Sequence, residues 1–407
     1  MVLAVFLGTM LLLHLIIAWG SRSLISKGYP DFTIFYSAGK IVGSGLGPQL
    51  YDESTQYRIQ QEFAAGVTTR QGPLPYNHPP FEALLFVPIT WFPYAIAFVL
   101  WDILNILVLL ALLPLLRPYL PLLRRASPMS LLFGSLAFFP VFIALLQGQD
   151  ILVLVLLLTL TFVSLKRKRD FAAGCWLGFG LFRLHFVLPF VPILLLQKKY
   201  KAILGIAAMA LVLAVVSAMV VGWRATVDYP GYVLHVEHIM GQRKTALPIG
   251  MPNLRGLVDS LPLRRSSATL RNSILAATSL ALILFGASRW KMSEAVIFDL
   301  GFSLCVIITI VVGYHAFAYD LSLLLVPVLL VMNFCSERDT GMSQWALVGP
   351  ILILFLTPLQ MFLGLHSARY SLVALVLLVW AWGIAREISR QAPPRKHALK
   401  IAETTGT

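Results

Sequence analysis

Charged residues are scarce in this chain: Asp, Glu, Lys and Arg together make up 12% of its 407 residues. A soluble domain typically carries about 25% charged residues, so this scarcity argues against an ordinary soluble fold. Hydrophobic residues make up 58% of the chain, which is more apolar surface than a soluble core hides. A bilayer accommodates such a composition, because lipid replaces water around the apolar side chains. The composition predicts a polytopic membrane protein.

Cysteine is also rare, and a nucleotide-binding signature is missing. The three cysteines, Cys175, Cys305 and Cys335, lie in or at the end of apolar runs and are not spaced as a metal site or redox pair. We expect them to be packing residues. The sequence contains neither a glycine-rich phosphate loop nor a soluble nucleotide-binding domain, and we expect no cofactor.

The net charge of +14 comes from basic residues whose positions indicate which loops face the cytoplasm. Basic residues form short clusters between apolar runs, as cytoplasmic loops do under the positive-inside rule. Two long hydrophilic stretches have mixed charge instead, with five Lys or Arg and four Asp or Glu in the first. We predict that both long stretches face the periplasm or exterior. The clusters are Arg124–Arg125, Lys166–Arg169, Lys198–Lys201 and the tail after Arg386; the long stretches are Ser21–His78 and Trp223–Ser267.

Apolar windows long enough to cross a bilayer recur along the chain. They predict an all-α transmembrane bundle of about 10–13 spans, formed by one domain over residues 1–388 with a basic cytoplasmic tail over 389–407. We take Met1–Gly20 as the first span and not a removed signal peptide. Pro79–Phe92 is short and proline-bounded, which favours a half-span. Arg183 and His185 interrupt Phe171–Gln197, which predicts two short helices meeting at a polar turn.

Asp31 is the first candidate for chemistry, because charged groups near membrane depth are costly and often functional. It lies shortly after the first span among aromatic residues that suit the interface. A carboxylate there could act as a general base on a sugar hydroxyl. The alternative is a helix N-cap, a position that Asp favours. Asp52 is the weaker candidate for the same catalytic role.

Several short polar motifs lie between or beside the predicted spans. They are Asp31–Gly39 (DFTIFYSAG) followed by Gly45 and Leu50–Asp52, then Tyr76–Phe81 (YNHPPF), Gln147–Asp150 (QGQD) and Tyr314–Leu321 (YHAFAYDL). Their order and placement resemble those of glycosyltransferase family 87 between Met1 and about Pro327. That family comprises membrane enzymes of the GT-C fold, including polyprenyl-phosphate-mannose-dependent mannosyltransferases.

The resemblance implies a GT-C fold with a long first outer loop, whose Asp is the catalytic carboxylate. That role falls on Asp31. Two positions depart from the family pattern. Asp150 stands where the family usually has Asn, and Arg183-Leu184-His185 stands where it usually has Lys-Pro. Arg183 keeps the positive charge, but the proline is lost, so the preference for donor or acceptor could differ.

The remaining polar residues of these segments fit the binding of a sugar and a phosphate leaving group. Cationic donors stabilise a departing phosphate, and arginine binds phosphate bidentately, although Arg183 could instead be a snorkelling arginine. A lone membrane histidine is often only structural, and this alternative stays open for His185 and His315. We expect no divalent metal, because acidic residues are not clustered on the outer side. The predicted substrate-binding residues are Tyr36, Lys40, His78, Gln149, Asp150, Arg183, His185, Asn253, Arg255, His315 and Asp320.

The leading hypothesis is therefore an inverting membrane hexosyltransferase, expected to be a mannosyltransferase. It would use a polyprenyl-phosphate sugar donor and a glycolipid or glycan acceptor at the outer face of a bacterial inner or plasma membrane, with membrane lipids as its surroundings and no nucleic-acid partner. Broken helices and intramembrane charges also suit a secondary transporter or lipid flippase. The sequence shows no halves of matching hydropathy, which speaks against that alternative. A non-catalytic partner in an envelope complex is the third hypothesis.

Overall fold

The computed structural model describes residues 2–64, 74–242, 250–260, 267–290, 295–338 and 344–391. Within these ranges the chain is α-helical and contains no strand, as the sequence predicts. Short 3-10 or π segments link several helices. The helices are α1 (Val2–Ser26), α2 (Phe32–Gly43), α3 (Glu53–Ala64), α4 (Pro80–Phe86), α5 (Tyr94–Leu116), α6 (Pro121–Arg125), α7 (Pro128–Leu136), α8 (Phe139–Gln147), α9 (Ile151–Lys166), α10 (Asp170–Phe179), α11 (Leu184–Val187), α12 (Phe190–Leu196), α13 (Tyr200–Val221), α14 (Trp223–Gln242), α15 (Leu254–Ser260), α16 (Ala268–Arg289), α17 (Ala295–Val312), α18 (Leu325–Glu337), α19 (Gln344–Phe355), α20 (Thr357–Met361) and α21 (Val373–Gln391).

Six helical segments in the described ranges are long and apolar enough to cross a bilayer, and three bent pairs bring the total to nine. The predicted 10–13 spans are reached only when three shorter apolar helices are also counted. The six segments are Val2–Ser26, Tyr94–Leu116, Tyr200–Val221, Ala268–Arg289, Tyr319–Glu337 and Tyr370–Gln391. The bent pairs are Pro128–Leu136 with Phe139–Gln147 (77°), Asp170–Val187 with Phe190–Leu196 (107°), and Gln344–Phe355 with Thr357–His366 (69°).

Two irregular segments match the predicted interruptions. The apolar helical segment Pro80–Trp91 is shorter than the roughly 20 residues of a full span, as expected for a half-span. The second segment is the pair bent by 107°. Its 3-10 turn ends at Arg183, and the sharp bend falls beyond it, just before α12. Both irregular segments contribute residues to the site described below.

The predicted loop and tail boundaries shift by a few residues. Helix α1 continues to Ser26, so the first outer stretch starts later than Ser21. Helix α14 occupies Trp223–Gln242, which is much of the second stretch. Helix α21 continues to Gln391, three residues into the predicted tail at 389–407. Residues 392–407 lie outside the described part of the chain.

The first long loop packs onto the membrane helices through an aromatic core. Phe32, Phe35 and Tyr36 of α2 are buried against residues of α4 and α5. The rings of Phe35 and Phe86 stack with centroids 4.8 Å apart. A Cβ at Gly39 would lie 2.9 Å from the Phe86 backbone, so α2 and α4 approach at a glycine. This contact fixes the start of α2 relative to the bundle.

Helices α10 and α13 meet through a pair of glycines. A Cβ at Gly174 would collide with the carbonyl oxygen of Ala202, and a Cβ at Gly205 would collide with that of Phe171. Small residues at such crossings let helix backbones approach closely in membranes. The packing holds the bent segment that carries Arg183 against α13.

We expect Gly174→Ala to lower the unfolding temperature of the detergent-solubilised protein, because the added methyl group must push α13 away. Overpacking of this kind costs about 1–3 kcal/mol. Thermal unfolding followed by tryptophan fluorescence measures the change. Gly349→Ala is the matched control, since a Cβ at Gly349 in α19 meets no atom within 4 Å and alanine favours helix over glycine. Equal unfolding temperatures for the two variants would contradict the close α10–α13 contact.

Candidate active site

The turn between α8 and α9 brings two polar residues to the start of α2. Gly148 ends α8 in the left-handed conformation, with φ of 59°. A Cβ at this position would lie 2.7 Å from the Cβ of Phe32, so any larger residue would clash with α2. The turn places Gln149 and Asp150 at the N-terminal end of α9, and Gln149 lies next to Asp31.

Asp31 and Asp52 both precede helices, but their carboxylates have different partners. Oδ2 of Asp52 accepts hydrogen bonds from the Thr55 backbone N–H (2.8 Å) and the Ser54 hydroxyl (2.6 Å), which lower the pKa of this carboxyl. Asp31 occupies the N-cap position of α2 without a side-chain capping bond. Its Oδ2 instead accepts a 2.7 Å hydrogen bond from Nε2 of Gln149. Asp52 caps its helix, whereas the Asp31 carboxylate is directed towards the bundle.

Gln149 connects Asp31 to a buried arginine. Its Nε2 donates to Asp31, and its Oε1 accepts a 2.6 Å hydrogen bond from Nη2 of Arg183. Its backbone oxygen accepts from Nε1 of Trp101 (3.2 Å) and Nδ2 of Asn105 (3.3 Å) on α5. Because Arg183 must donate to the amide oxygen, the amide NH₂ is directed at Asp31. The orientation of Gln149 therefore depends on Arg183.

Arg183 is almost fully buried, with 6% of its surface exposed. Its Nε donates to Oδ1 of Asp150 at 3.0 Å, and its Nη2 also donates to that oxygen. Nη1 lies 3.7 Å from Oδ1 of Asp320. The guanidinium carbon lies 5.8 Å from the ring centroid of Tyr319. A buried charge with two carboxylate partners and an amide acceptor satisfies the requirement for paired, hydrogen-bonded ions.

The second long loop bonds the segment after α17 through Asn253 and Arg255. Nδ2 of the buried Asn253 donates to the Gly313 carbonyl at 2.7 Å, and its Oδ1 accepts from the Gly256 backbone N–H at 2.9 Å. Nη1 of Arg255 donates to the Tyr314 carbonyl at 3.3 Å, and its guanidinium lies 4.1 Å from the Tyr314 ring centroid. These bonds bind the start of α15 to the segment that follows α17.

His315 lies in this segment, five positions before Asp320. Its ring packs edge-on against Phe317, with centroids 4.5 Å apart. Burial, with further effects from Arg255 and Arg183, lowers the pKa of His315 to about 4. The imidazole is therefore neutral near pH 7 and can donate one hydrogen bond. Asp320 shapes the same turn by accepting a 2.7 Å hydrogen bond from the Phe317 backbone N–H.

His78, Glu82 and Asp150 form a compact group on the other side of Arg183. Nδ1 of His78 lies 2.8 Å from Oε2 of Glu82. Potential ligand atoms of the three residues all lie within 4.8 Å of one another. Burial and the nearby Arg183 charge lower the pKa of His78 to about 3, so its imidazole is neutral. The ring of His185 packs against that of Phe186. His185 is also close enough to His78, Arg183 and His315 for electrostatic interaction with them.

Two predicted binding residues make their contacts elsewhere. The Tyr36 hydroxyl donates to the Phe92 carbonyl at 2.9 Å, and the ring packs against Phe63 and Tyr94. Lys40 forms an ion pair with Glu62 near the surface. Both residues thus join the outer-loop helices to each other or to the membrane helices. Bonds, ion pairs or close approach join His78, Gln149, Asp150 and Asp320 to Arg183, whereas Asn253 and Arg255 bond the segment that carries Gly313 and Tyr314.

Sequence analysis missed three residues that the structure places in this network. Glu82 is fully buried. Gln147 accepts a 3.2 Å hydrogen bond from the Asp31 backbone N–H through Oε1, and Tyr319 lies beside Arg183. Glu82 had a usable signal, since it is an acid four residues after His78 in an otherwise apolar segment. Gln147 and Tyr319 belong to the quoted motifs, but nothing in the sequence distinguishes them from their neighbours.

The arrangement combines the groups that sugar transfer requires. A partly exposed carboxylate is held at the end of a hydrogen-bonded chain, and the donors Arg255 and His315 lie on two segments that hydrogen bonds join to each other. Such a carboxylate can accept a proton from a hydroxyl, and the donors can stabilise a departing anion.

Comparison with protein families identifies the chain. The family model for glycosyltransferase family 87 matches residues 76–314, which is more than half of the chain. The matched range includes Glu82, Gln149, Asp150 and Arg183 and begins after Asp31. No curated protein and no solved structure matches the chain. The composition, the apolar helices and this match together show that the chain is an integral membrane protein that belongs to glycosyltransferase family 87.

Proposed function

We propose that this membrane glycosyltransferase moves a hexose, expected to be mannose, from a polyprenyl-phosphate donor to a glycolipid or glycan acceptor, with Asp31 as the general base. The observation that carries the proposal is the position of the Asp31 carboxylate. It is held by Gln149 at 2.7 Å and makes no capping bond at the helix it precedes. A carboxylate held in this way is available to a substrate hydroxyl.

In the proposed reaction, the acceptor oxygen attacks the anomeric carbon while its proton passes to Asp31. A new carbon–oxygen bond forms as the bond between the anomeric carbon and the phosphate oxygen breaks. The electron pair of that bond leaves with the polyprenyl phosphate. A single displacement inverts the anomeric centre, and it needs no second carboxylate as a nucleophile, unlike a retaining site.

The leaving phosphate requires a cation that a substrate can reach. The Nε and Nη2 groups of Arg183 bond Asp150 and Gln149, so this residue is better suited to orienting Gln149 than to binding phosphate. Arg255 is partly exposed and belongs to the second outer loop, close to His315. We therefore assign phosphate binding to Arg255 and neutral His315. Both are hydrogen-bond donors that would stabilise the developing negative charge.

The site is proposed to face the periplasm or exterior of a bacterial inner or plasma membrane. Asp150 lies at the N-terminal end of α9, and the basic run from Lys166 to Arg169 lies at the other end. A helix of 16 residues is about 24 Å long at 1.5 Å per residue. The basic end is cytoplasmic under the positive-inside rule, so Asp150 and its neighbours lie near the opposite face.

Asp31→Asn is expected to reduce transfer by about 10²–10⁴-fold, because general-base catalysis contributes that much and an amide does not accept the proton. The assay uses the purified protein in lipid nanodiscs with polyprenyl-phosphate mannose and a panel of glycolipid acceptors. Asp52→Asn is the matched control. It lies in the same outer loop and loses only helix capping, so transfer should stay close to the wild-type rate. Full activity in Asp31→Asn would remove Asp31 from the mechanism.

Arg255→Ala should raise the KM for the donor about 10- to 100-fold, since a hydrogen bond to a charged group contributes about 1.5–3 kcal/mol. Arg255→Lys should recover part of that loss, because it keeps the charge but not the planar donor pair. Initial rates measured over a range of donor concentrations separate KM from kcat. A KM for the donor that stays at the wild-type value in Arg255→Ala would exclude the assigned phosphate contact.

Cysteine labelling tests the proposed orientation. In a chain whose three cysteines are replaced by serine, we expect Arg58→Cys on exposed α3 to react in intact cells with a membrane-impermeant maleimide. Arg169→Cys, between α9 and α10, should react only after the membrane is permeabilised. The opposite pattern would place the site on the cytoplasmic side.

A further inference from the structure

Three acidic side chains surround Arg183 and are almost completely buried. Glu82 and Asp150 are 0% exposed, and Asp320 is 1% exposed. Arg183 is the one buried Lys or Arg beside them in the part of the chain that the structure describes. If all three acids are ionised, the group carries an excess of two negative charges. Uncompensated buried charges are strongly unfavourable, so this group requires either bound protons or a further cation.

The unbalanced charge is concentrated where a histidine is also present. Nδ1 of His78 lies 2.8 Å from Oε2 of Glu82, and ligand atoms from His78, Glu82 and Asp150 lie within 4.8 Å of one another. Ligands about 2.0–2.2 Å from a shared cation are themselves separated by no more than about twice that distance. Small side-chain movements bring the three atoms to that spacing.

The same residues have atoms whose hydrogen-bonding capacity is not used within the described chain. Oε1 of Glu82 is buried and accepts no hydrogen bond from the described residues, while Nδ1 of His78 faces Oε2 of the same carboxyl group. Oδ1 of Asp150 accepts both close Arg183 bonds, Oδ2 accepts a longer one from Nε at 3.4 Å, and the Asp150 carboxyl group also interacts with that of Glu82. Buried polar atoms are nearly always satisfied, so two facing carboxyl groups beside a histidine, one of them with an unused oxygen, point to a missing common partner.

We propose that His78, Glu82 and Asp150 bind a divalent transition-metal cation, Mn²⁺ or Zn²⁺. One imidazole and two carboxylates form a mixed nitrogen and oxygen donor set, which suits these ions better than Ca²⁺ or Mg²⁺. Two positive charges balance the excess of two negative charges around Arg183. The cation also joins the segment before α4 to the start of α9, which holds Gln149 and Asp150 beside Asp31.

Aromatic packing and a backbone hydrogen bond fix the position of the His78 ring. The ring packs edge-on against Phe35 at 5.1 Å and lies over Tyr76 at 5.7 Å. The His78 carbonyl accepts a 2.8 Å hydrogen bond from the Tyr51 hydroxyl. Histidine binds metals through a ring nitrogen of its imidazole. The sequence-based expectation of no metal was based on scattered acids, and the fold brings two of them together beside this histidine.

The alternative occupant is a proton shared between Glu82 and Asp150. Such a proton would neutralise one acid, and His78 would then have no cation to bind. A direct binding measurement separates the two occupants and does not depend on glycosyl transfer. The full chain is purified without a polyhistidine tag, stripped with EDTA, placed in nanodiscs of zwitterionic lipid and dialysed against Mn²⁺ or Zn²⁺. Bound metal is then measured by mass spectrometry.

The expected result is one equivalent of Mn²⁺ or Zn²⁺ per chain, together with a higher unfolding temperature, since a ligand that binds the folded state stabilises it. Glu82→Gln should weaken binding by about tenfold or more and abolish the thermal shift. Glu62→Gln on α3 is the matched control. It removes an exposed acid that pairs with Lys40, and it should bind metal as the wild type does.

Two outcomes would overturn the proposal. One is the absence of stoichiometric binding of both ions to the wild-type chain, which would favour the shared proton. The other is equal affinity in wild type and Glu82→Gln, which would show that any bound metal lies elsewhere. Because Glu82 is fully buried, size-exclusion chromatography must first show that Glu82→Gln is folded. If it is not folded, His78→Gln tests the same site through its more exposed ligand.

Discussion

The site depends on the burial of one guanidinium group. Arg183 has 6% of its surface exposed, and a charge in this position persists only when strong acceptors surround it. Asp150 and Gln149 at the start of α9, and Asp320 after α17, supply those acceptors. The ion pairs therefore bind three segments that are distant in sequence into one unit. Gln149 is oriented by the same bonds, and it in turn holds the carboxylate of Asp31.

The contrast between Asp31 and Asp52 shows why local sequence alone does not choose between them as the proposed base. Both residues stand immediately before a helix, where Asp commonly acts as a cap. Only the tertiary fold distinguishes them, because Gln149 is 118 positions away from Asp31 along the chain. Resemblance to the family favoured Asp31 as the base, and in the structure Asp52 is the residue whose carboxylate caps its own helix.

The membrane architecture was readable from the sequence because it depends on composition and run length, which are local properties. A break in the segment that carries Arg183 was predicted from the charged residues that interrupt its apolar run, but the sharp bend lies beyond them, between Val187 and Phe190. Contacts between distant residues were not predictable. Tyr36 and Lys40 looked like site residues by their nearness to Asp31 in sequence, yet α2 directs them to Phe92 and Glu62. Glu82 was overlooked because its apolar segment was considered only as a possible half-span.

The two departures from the family pattern are explained by a single contact. Asp150 stands where the family usually has Asn, and Arg183 stands in place of the usual Lys-Pro. In the structure these two residues form the buried ion pair at the centre of the site.

An acid in place of an amide adds a charge that must be balanced nearby. Arginine balances it and also reaches Gln149 and Asp320, because its planar donors point in several directions, whereas a lysine is a single point of charge. The charges of Asp150 and Arg183 therefore balance each other in this chain, in which Gln149 is directed towards Asp31. The loss of the proline restores a backbone N–H at Leu184, and the turn continues directly into α11.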